Sequence, residues 1–248
     1  MNVILPVFGL AFLGSIAGLV GGIVLLTNKR WGEFLAVHAV AFAAGALLTV
    51  SLLDLLPESL EALGPEIALP TVLAVMAASF LLEQMLAHFH HHEEHRHNEL
   101  TSAIPLVLFG DAVHNFLDGV AIATAFLIQP QLGVVVAIAT FLHELPQEIG
   151  DFGILSAAGW AKLRIIVFNL ITAATTFLGA GLALFFVGIT DGLSGYLVAI
   201  AAGLFLYIAT TDLLPKAGAR AKDVSWHQSA LFLAGVIIMV FVTNIFPG

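Results

Sequence analysis

The sequence predicts an all-α integral membrane protein, eight transmembrane helices arranged as 3+2+3 with an inverted repeat. Three observations carry this expectation. The 248 residues are 60% hydrophobic and only 10% charged, with a mean hydropathy of +1.03, whereas a soluble domain carries roughly 25% charged residues. Eight apolar runs are each long enough to cross a bilayer, which takes about 20 mostly apolar residues in helical form. Two distant segments share a pattern without gaps, AAGALLTVSLLDLLPE at 43–58 and AAGLFLYIATTDLLPK at 201–216.

The runs fall at about 5–27, 34–56, 69–88, 102–127, 132–158, 163–187, 193–214 and 229–246. They are continuous rather than alternating, which argues for helices and against barrel strands. The first lacks a basic leader and is too long for a cleaved signal peptide. One membrane domain is expected over 1–248: a three-helix repeat at 1–88, a His-rich loop at 89–100, a central helix pair at 101–160 and a second three-helix repeat at 161–248. The absence of cysteine excludes disulfides and thiolate metal sites.

Charge orients the chain. Lys29, Arg30, Arg96, Lys162, Arg164, Lys216, Arg220 and Lys222 all follow runs 1, 3, 5 and 7, and none follows runs 2, 4 or 6. The positive-inside rule makes the basic loops cytoplasmic, which places both termini outside. A short chain without a targeting extension fits a prokaryotic cytoplasmic membrane. The net charge of −9 excludes a general nucleic-acid binder. Glu58, Glu61 and Glu66 crowd the expected outer loop after run 2, where they would concentrate cations.

The repeated segments share Ala, Ala, Gly, Leu, Asp, Leu, Leu and Pro in register. One lies on a run directed outward and the other on a run directed inward, the mark of an inverted repeat common in secondary transporters. Asp54 then sits near the outer mouth and Asp212 near the inner one. Asp212 also lies four residues before Lys216, at helical pairing distance.

The central pair holds the chemistry. Helical positions i, i+1, i+4 and i+5 share a face. On run 4 that face carries Asp111, His114, Asn115 and Asp118; on run 5 it carries His143, Glu144, Gln147, Glu148 and Asp151. A short loop near 129–133 makes the two runs antiparallel neighbours, and both faces come near mid-bilayer. No Lys or Arg lies in either run. Ionisable groups at membrane depth are costly and mark a transport or reaction path, so a mobile cation or a proton is expected to supply the missing charge. Imidazole, carboxylate and amide oxygen together suit Zn²⁺, Fe²⁺ and Mn²⁺. Asp111 and Asp151 lie toward the cytoplasm and suggest an exit path. Pro146 removes one backbone hydrogen bond and frees the carbonyl of Leu142. Gly119, Gly150 and Gly153 are expected to allow close helix approach.

Other polar residues are read more modestly. His38 is a candidate for the ion path or a hydrogen-bonded core residue. Glu83, near the inner end of run 3, is expected to snorkel to the surface. The stretch HFHHHEEHRH at 88–97 gathers His88, His90, His91, His92, His95 and His97, a composition that holds metal weakly and suits capture of an imported ion at the cytoplasmic side, or a plain solvated linker.

These residues resemble the ZIP (Zrt-, Irt-like) family of divalent metal transporters over essentially the whole chain. The family's HNxxDG signature stands as His114, Asn115, Asp118 and Gly119, and its HExPHE signature as His143, Glu144, Pro146, Gln147 and Glu148. The resemblance implies a binuclear metal site between these helices, movement of metal toward the cytoplasm, a homodimer and an elevator-like shift of a transport bundle. Gln147 departs from the pattern, standing where many members have a second His; an amide oxygen binds Zn²⁺ more weakly than imidazole.

The leading reading is therefore a transporter whose substrate is Zn²⁺, with Fe²⁺, Mn²⁺ and Cd²⁺ as further candidates, and not an enzyme. An intramembrane metal-dependent hydrolase is the main rival, since HExxH on a helix is a metalloprotease signature; here the second His is replaced by Gln147 and Pro146 disturbs the spacing. A proton-coupled carrier of a non-metal substrate is the third reading, against which His114 and His143 both argue.

Overall fold

The computed structural model describes residues 3–91, 99–187, 192–219 and 226–245, and the regular structure among them is entirely helical. The first apolar run forms α1 (Ile4–Gly14), a 3-10 turn (Ile16–Leu19) and α2 (Val20–Thr27). The second forms α3 (Lys29–Val50), a π-helical turn (Ser51–Leu55) and α4 (Leu56–Leu63), followed by α5 (Pro65–His91). The central pair is α6 (Glu99–Ile128) and α7 (Pro130–Ala157). Then come α8 (Lys162–Ala173), α9 (Thr175–Val187), α10 (Leu193–Tyr207), a second π-helical turn (Ile208–Leu213), α11 (Leu214–Ala219) and α12 (Trp226–Ile245). Among the described residues seven helices are long and apolar enough to cross a membrane, and the first run contributes the shorter apolar helix Ile4–Gly14. The chain is an all-α membrane protein.

The break in the first run was not expected from its continuous apolarity. At Ser15 the backbone leaves helical geometry (φ −122°, ψ −80°). Glycine weakens a helix by about 1 kcal/mol relative to Ala, and Gly14, Gly18, Gly21 and Gly22 cluster here. Packing offsets the cost. A Cβ on Gly18 would meet Glu144 Cβ at 2.9 Å, one on Gly21 would meet the Leu145 carbonyl at 2.6 Å, and one on Gly22 would run into the Phe152 ring. The glycines thus let the first run lie directly on α7.

The expected outer loop after run 2 is helical instead. Glu58 and Glu61 sit on α4, and Gly64 alone, at φ 75°, links it to α5. Pro57 and Pro215 explain the π-helical turns that precede them. A proline ring crowds the carbonyl four residues back and offers that carbonyl no N–H, and a widened turn absorbs the misfit. The two turns fall at corresponding places in the repeated segments and carry Asp54 and Asp212. Pro146 lies inside α7, which remains α-helical through it.

Small residues set the inner packing, as expected where lipid leaves little hydrophobic drive between helices. Ala43, Ala44, Ala46, Ala121, Ala125 and Ala137 belong to one buried cluster. Gly119 and Gly179 make a reciprocal contact: a Cβ on Gly119 would strike the Thr176 carbonyl, and one on Gly179 the Phe116 carbonyl. Gly45 and Gly235 repeat the arrangement between α3 and α12. Gly150 has nothing within 4 Å of its Cβ position, and Gly153 only Leu25 at 3.9 Å. The expectation of close helix approach therefore holds at Gly119 and fails at these two. By contrast α5 and α12 face outward with apolar side chains such as Leu73 (67% exposed) and Ile237 (66%).

Contacts also fix relative directions. Gly14 meets Thr140 and Gly22 meets Phe152, so the first run is parallel to α7. Lys162 donates from Nζ to the carbonyl of Leu26 at 2.7 Å, which brings the basic ends of runs 1 and 5 to one side. Gln228 donates to the Val37 carbonyl while Gly235 meets Phe42, making α12 parallel to α3. Gly203 meets Val72 and Val75 while Tyr207 donates to Glu83, making α10 parallel to α5. Glu83 thus accepts a hydroxyl from a neighbouring helix; it does not simply snorkel.

Candidate metal site

The site is built where α6 and α7 cross as antiparallel neighbours. His114 lies beside His143 and Glu144, and one helical turn back Asp111 lies with Glu144 and Glu148. Rising numbers on α6 meet falling numbers on α7, as the short connection through Gln129 requires.

The first group is His114, Asp118, His143 and Glu144. His114 Nε2 is 2.9 Å from His143 Nε2, 3.3 Å from Glu144 Oε1 and 3.6 Å from Asp118 Oδ2. His143 Nε2 is 3.2 Å from Asp118 Oδ2 and 3.8 Å from Glu144 Oε1. Ligand atoms around a tetrahedral ion with bonds of about 2.0–2.2 Å sit roughly 3.3–3.6 Å apart, and these separations bracket that span. His143 Nδ1 lies 3.1 Å from the Ala139 carbonyl, to which it donates. That bond leaves the Nε2 lone pair of His143 aimed at the group, the arrangement a metal-ligating imidazole needs.

The second group is Asp111, Glu144 and Glu148, all buried, with ligand atoms within 4.8 Å of one another. Glu144 belongs to both groups, and its two oxygens can serve both sides. Asp118, Glu144 and Glu148 have neither oxygen hydrogen-bonded, and Asp111 Oδ2 also lacks a partner. Buried polar atoms are nearly always paired, and the Lys ion pairs among the described residues lie elsewhere, at Glu33 and Asp212. Four carboxylates therefore converge without a fixed positive charge, in a place where isolated charge is costly.

Asn115, fully buried on the same face of α6, is tied to the protein on both ends of its amide. Its oxygen accepts from Ser15 Oγ (2.8 Å) and Thr176 Oγ1 (3.1 Å), and its nitrogen donates to Asp111 Oδ1 (2.9 Å) and to the Asp111 carbonyl (3.2 Å). Gln147 follows on the face of α7, half-buried, and Asp151 lies half-buried beyond Glu148; neither belongs to the two groups.

The outlying candidates are not brought to this centre. Asp54 sits half-buried on the first π-helical turn with Oδ2 unpartnered. Asp212 pairs with Lys216 Nζ at 2.6 Å, the pairing its spacing allowed. His38 stacks on Phe34 and bonds through Nδ1 with the Phe34 carbonyl at 2.7 Å. His92, His95 and His97 lie outside the described residues, and at His88, His90 and His91 only the backbone of α5 is described.

Sequence reasoning missed the polar shell from other runs. Ser15 at the α1 break and Thr176 on α9 both donate to Asn115 on α6, and Thr175 donates to the Ala112 carbonyl of the same helix. The fully buried Asn169 on α8 leaves its Oδ1 unpartnered. Each is a small polar residue in an apolar run, a weak signal that helical periodicity within one run cannot assign to a partner.

Comparison with known proteins completes the picture. The family model for the ZIP zinc transporter matches residues 90–243, more than half of the chain and the whole of α6 and α7. The chain is 37% identical over 151 residues to the zinc transporter foi of Drosophila melanogaster, covering 60% of this chain and 21% of that protein. It is 43% identical over 110 residues to human zinc transporter ZIP4, covering 44% and 17%, and 34% identical over 148 residues to human zinc transporter ZIP6, covering 56% and 19%. The matched stretch spans only about a fifth of each of these longer relatives. With both signature faces inside the matched residues, the chain belongs to the ZIP zinc transporter family.

Proposed function

We propose that this chain carries divalent transition-metal ions across the membrane, Zn²⁺ foremost, through a two-ion site between α6 and α7. One observation carries the reading. Two imidazoles and four carboxylates converge inside apolar helices, and nearly all the carboxylate oxygens lack a hydrogen-bond partner. A divalent ion is the natural counter-charge. The named relatives are zinc transporters, which favours Zn²⁺, and the mixed nitrogen and oxygen donors also accept Fe²⁺, Mn²⁺ and Cd²⁺.

The eight-run 3+2+3 arrangement, with repeats at 1–88 and 161–248 about the 101–160 pair, belongs to the same proposal. Exchanging run 1 with 6, 2 with 7, 3 with 8 and 4 with 5 turns the α7 contact of the first run into the α6 contact of α9. It also turns the pairing of α3 with α12 into that of α10 with α5. Both kinds of contact are present. The two π-helical turns correspond in the same way.

Asp54 serves the outer mouth. Asp111 and Asp151 lead toward the side bearing Lys29 and Lys162, which the positive-inside rule makes cytoplasmic; both termini then face outside. His88, His90, His91, His92, His95 and His97 would capture the released ion there. The family resemblance suggests a homodimer. The relatives named are animal proteins, so they lend nothing to a prokaryotic membrane.

The hydrolase reading lacks a second imidazole on α7, where Gln147 stands. Zn²⁺ flux into liposomes holding the purified chain separates the readings. Asp118→Ala and Glu144→Ala should each abolish flux while the helical spectrum is retained. Flux at the original rate in both variants would remove the site from the path, and peptide turnover without ion movement would favour the hydrolase.

A further inference from the structure

Threonines in these helices commonly bond back onto their own backbone. Thr27, Thr49, Thr71, Thr210 and Thr211 each donate to the carbonyl four residues before them, a ready partner for a hydroxyl in an apolar helix. Among the described residues, Thr124 and Thr140 are the threonines whose buried hydroxyls lack a partner. Thr140 is fully buried on α7. It stands three residues before His143 and four before Glu144, on the helix face that supplies both groups. Its Cβ and Cγ2 lie 3.3 and 3.1 Å from where a Cβ on Gly14 would sit, so the first run closes over it. Thr124 comes six residues after Asp118 and so lies on another face of α6.

The antiparallel crossing gives Thr140 its opposite number. Pairs across α6 and α7 advance by about one turn at a time: Asp111 with Glu148, then His114 with Glu144. The next step in that register sets Asp118 against Thr140. Asp118 Oδ2 lies 3.2 Å from His143 and 3.6 Å from His114, while Oδ1 is buried and unpartnered. Past this level the facing positions turn apolar, with Ala121, Ile122, Ala125, Val136 and Ala137 all buried. Thr140 is the one polar residue on α7 between Gln131 and His143, on the side that the proposed orientation makes outer.

We infer that Thr140 is an entry ligand: its hydroxyl oxygen, with Oδ1 of Asp118, holds an arriving divalent ion one turn ahead of the imidazole group. This rests on the two-ion reading and adds a stop before it. A neutral hydroxyl does not compete with two imidazoles for Zn²⁺, so the ion moves on to His114 and His143. Asp118 serves both positions, and the ion is never left among apolar side chains alone.

The test pairs Zn²⁺ uptake into liposomes with a competitive Zn²⁺ titration of the purified full chain against a chelator, resolving two binding steps. Thr140→Val keeps the shape and removes the hydroxyl. Uptake at low Zn²⁺ should fall roughly tenfold, the scale of losing one bond to a charged group, while both binding steps keep their affinities. Thr140→Ser should restore uptake. A hydroxyl with no role in transport predicts otherwise: buried without a partner it is only a cost, so Thr140→Val would hold or raise the Tm and leave uptake unchanged. That result would overturn the inference. Loss of uptake in Thr140→Ser as in Thr140→Val would overturn it by assigning the loss to packing against Gly14. Weakening of a titration step in Thr140→Val would overturn it by placing Thr140 in the bound site. Each of these leaves the two-ion reading intact, whereas failure of the unsubstituted chain to carry Zn²⁺ would remove both.

Discussion

The two groups proposed to hold ions share one carboxylate yet differ in kind. The group toward the C-terminal end of α6 offers two imidazole nitrogens beside the carboxylates of Asp118 and Glu144, while the group one turn below is all carboxylate: Asp111, Glu144 and Glu148. Imidazole favours Zn²⁺ and its transition-metal neighbours, whereas oxygen-only sites suit Mn²⁺, Mg²⁺ and Ca²⁺ as readily. On the proposed reading, choice among ions resides in the upper group and hand-over toward the basic side in the lower one. A site that binds equally well at every step would trap its cargo. Two unequal positions joined through Glu144 let an ion be chosen at one and released from the other.

The sharpest way to break this comparison is Glu144→Gln. The change keeps volume and removes the charge both groups use. Loss should exceed the roughly 10–100-fold typical of an outer partner and should appear in both steps of a Zn²⁺ titration. Retention of either step at its original affinity would show that Glu144 does not join the groups.

Glu148→Gln is narrower. Glu148 belongs only to the lower group, and both its oxygens are buried without hydrogen bonds. Zn²⁺ affinity should fall about 10–100-fold at one step, with the imidazole-bearing step and the preference for Zn²⁺ over Mn²⁺ both preserved. A change in preference would mean that the lower group also selects.

The residues of these groups were legible in the sequence because they come from one face of each helix: helical spacing alone places 111, 114, 115 and 118 together and 143, 144, 147 and 148 together, while their division into two groups, each drawn from both helices, was not. The spans were legible for a similar reason: apolarity sustained over a bilayer thickness leaves few alternatives. What spacing within a run cannot give is the partner from another run. Ser15 reaches Asn115 across 100 residues and Thr176 across 61, and neither is distinguishable in sequence from any other small polar residue in an apolar helix. The break at Ser15 was hidden because glycines that weaken a helix also occur at close helix contacts, and here Gly18 and Gly21 serve α7. The π-helical turns were half visible. Pro57 and Pro215 announced a disturbance, but Pro146 shows that the same residue can sit in a helix that stays regular.

Gln147 offers the finest adjustment of the comparison. It lies on α7 four residues after His143 and one before Glu148, half-buried, on the helix face that supplies both groups and without belonging to either. Its amide oxygen is a weak donor to Zn²⁺ and its neutral amide adds no charge. Gln147→His would place a third imidazole at the boundary and make the lower group resemble the upper. Nitrogen donors raise affinity along the series from Mn²⁺ to Zn²⁺, so the ratio of Zn²⁺ to Mn²⁺ uptake should rise by roughly tenfold, the low end of partner effects at metal sites. The rate of Zn²⁺ release should fall with it, because the lower position would then hold the ion more nearly as the upper one does. Competition uptake with paired ions measures the first effect, and single-turnover efflux from preloaded liposomes the second. An unchanged preference among Zn²⁺, Fe²⁺, Mn²⁺ and Cd²⁺ would place Gln147 outside the ion path and leave the inequality of the two groups to their carboxylates alone.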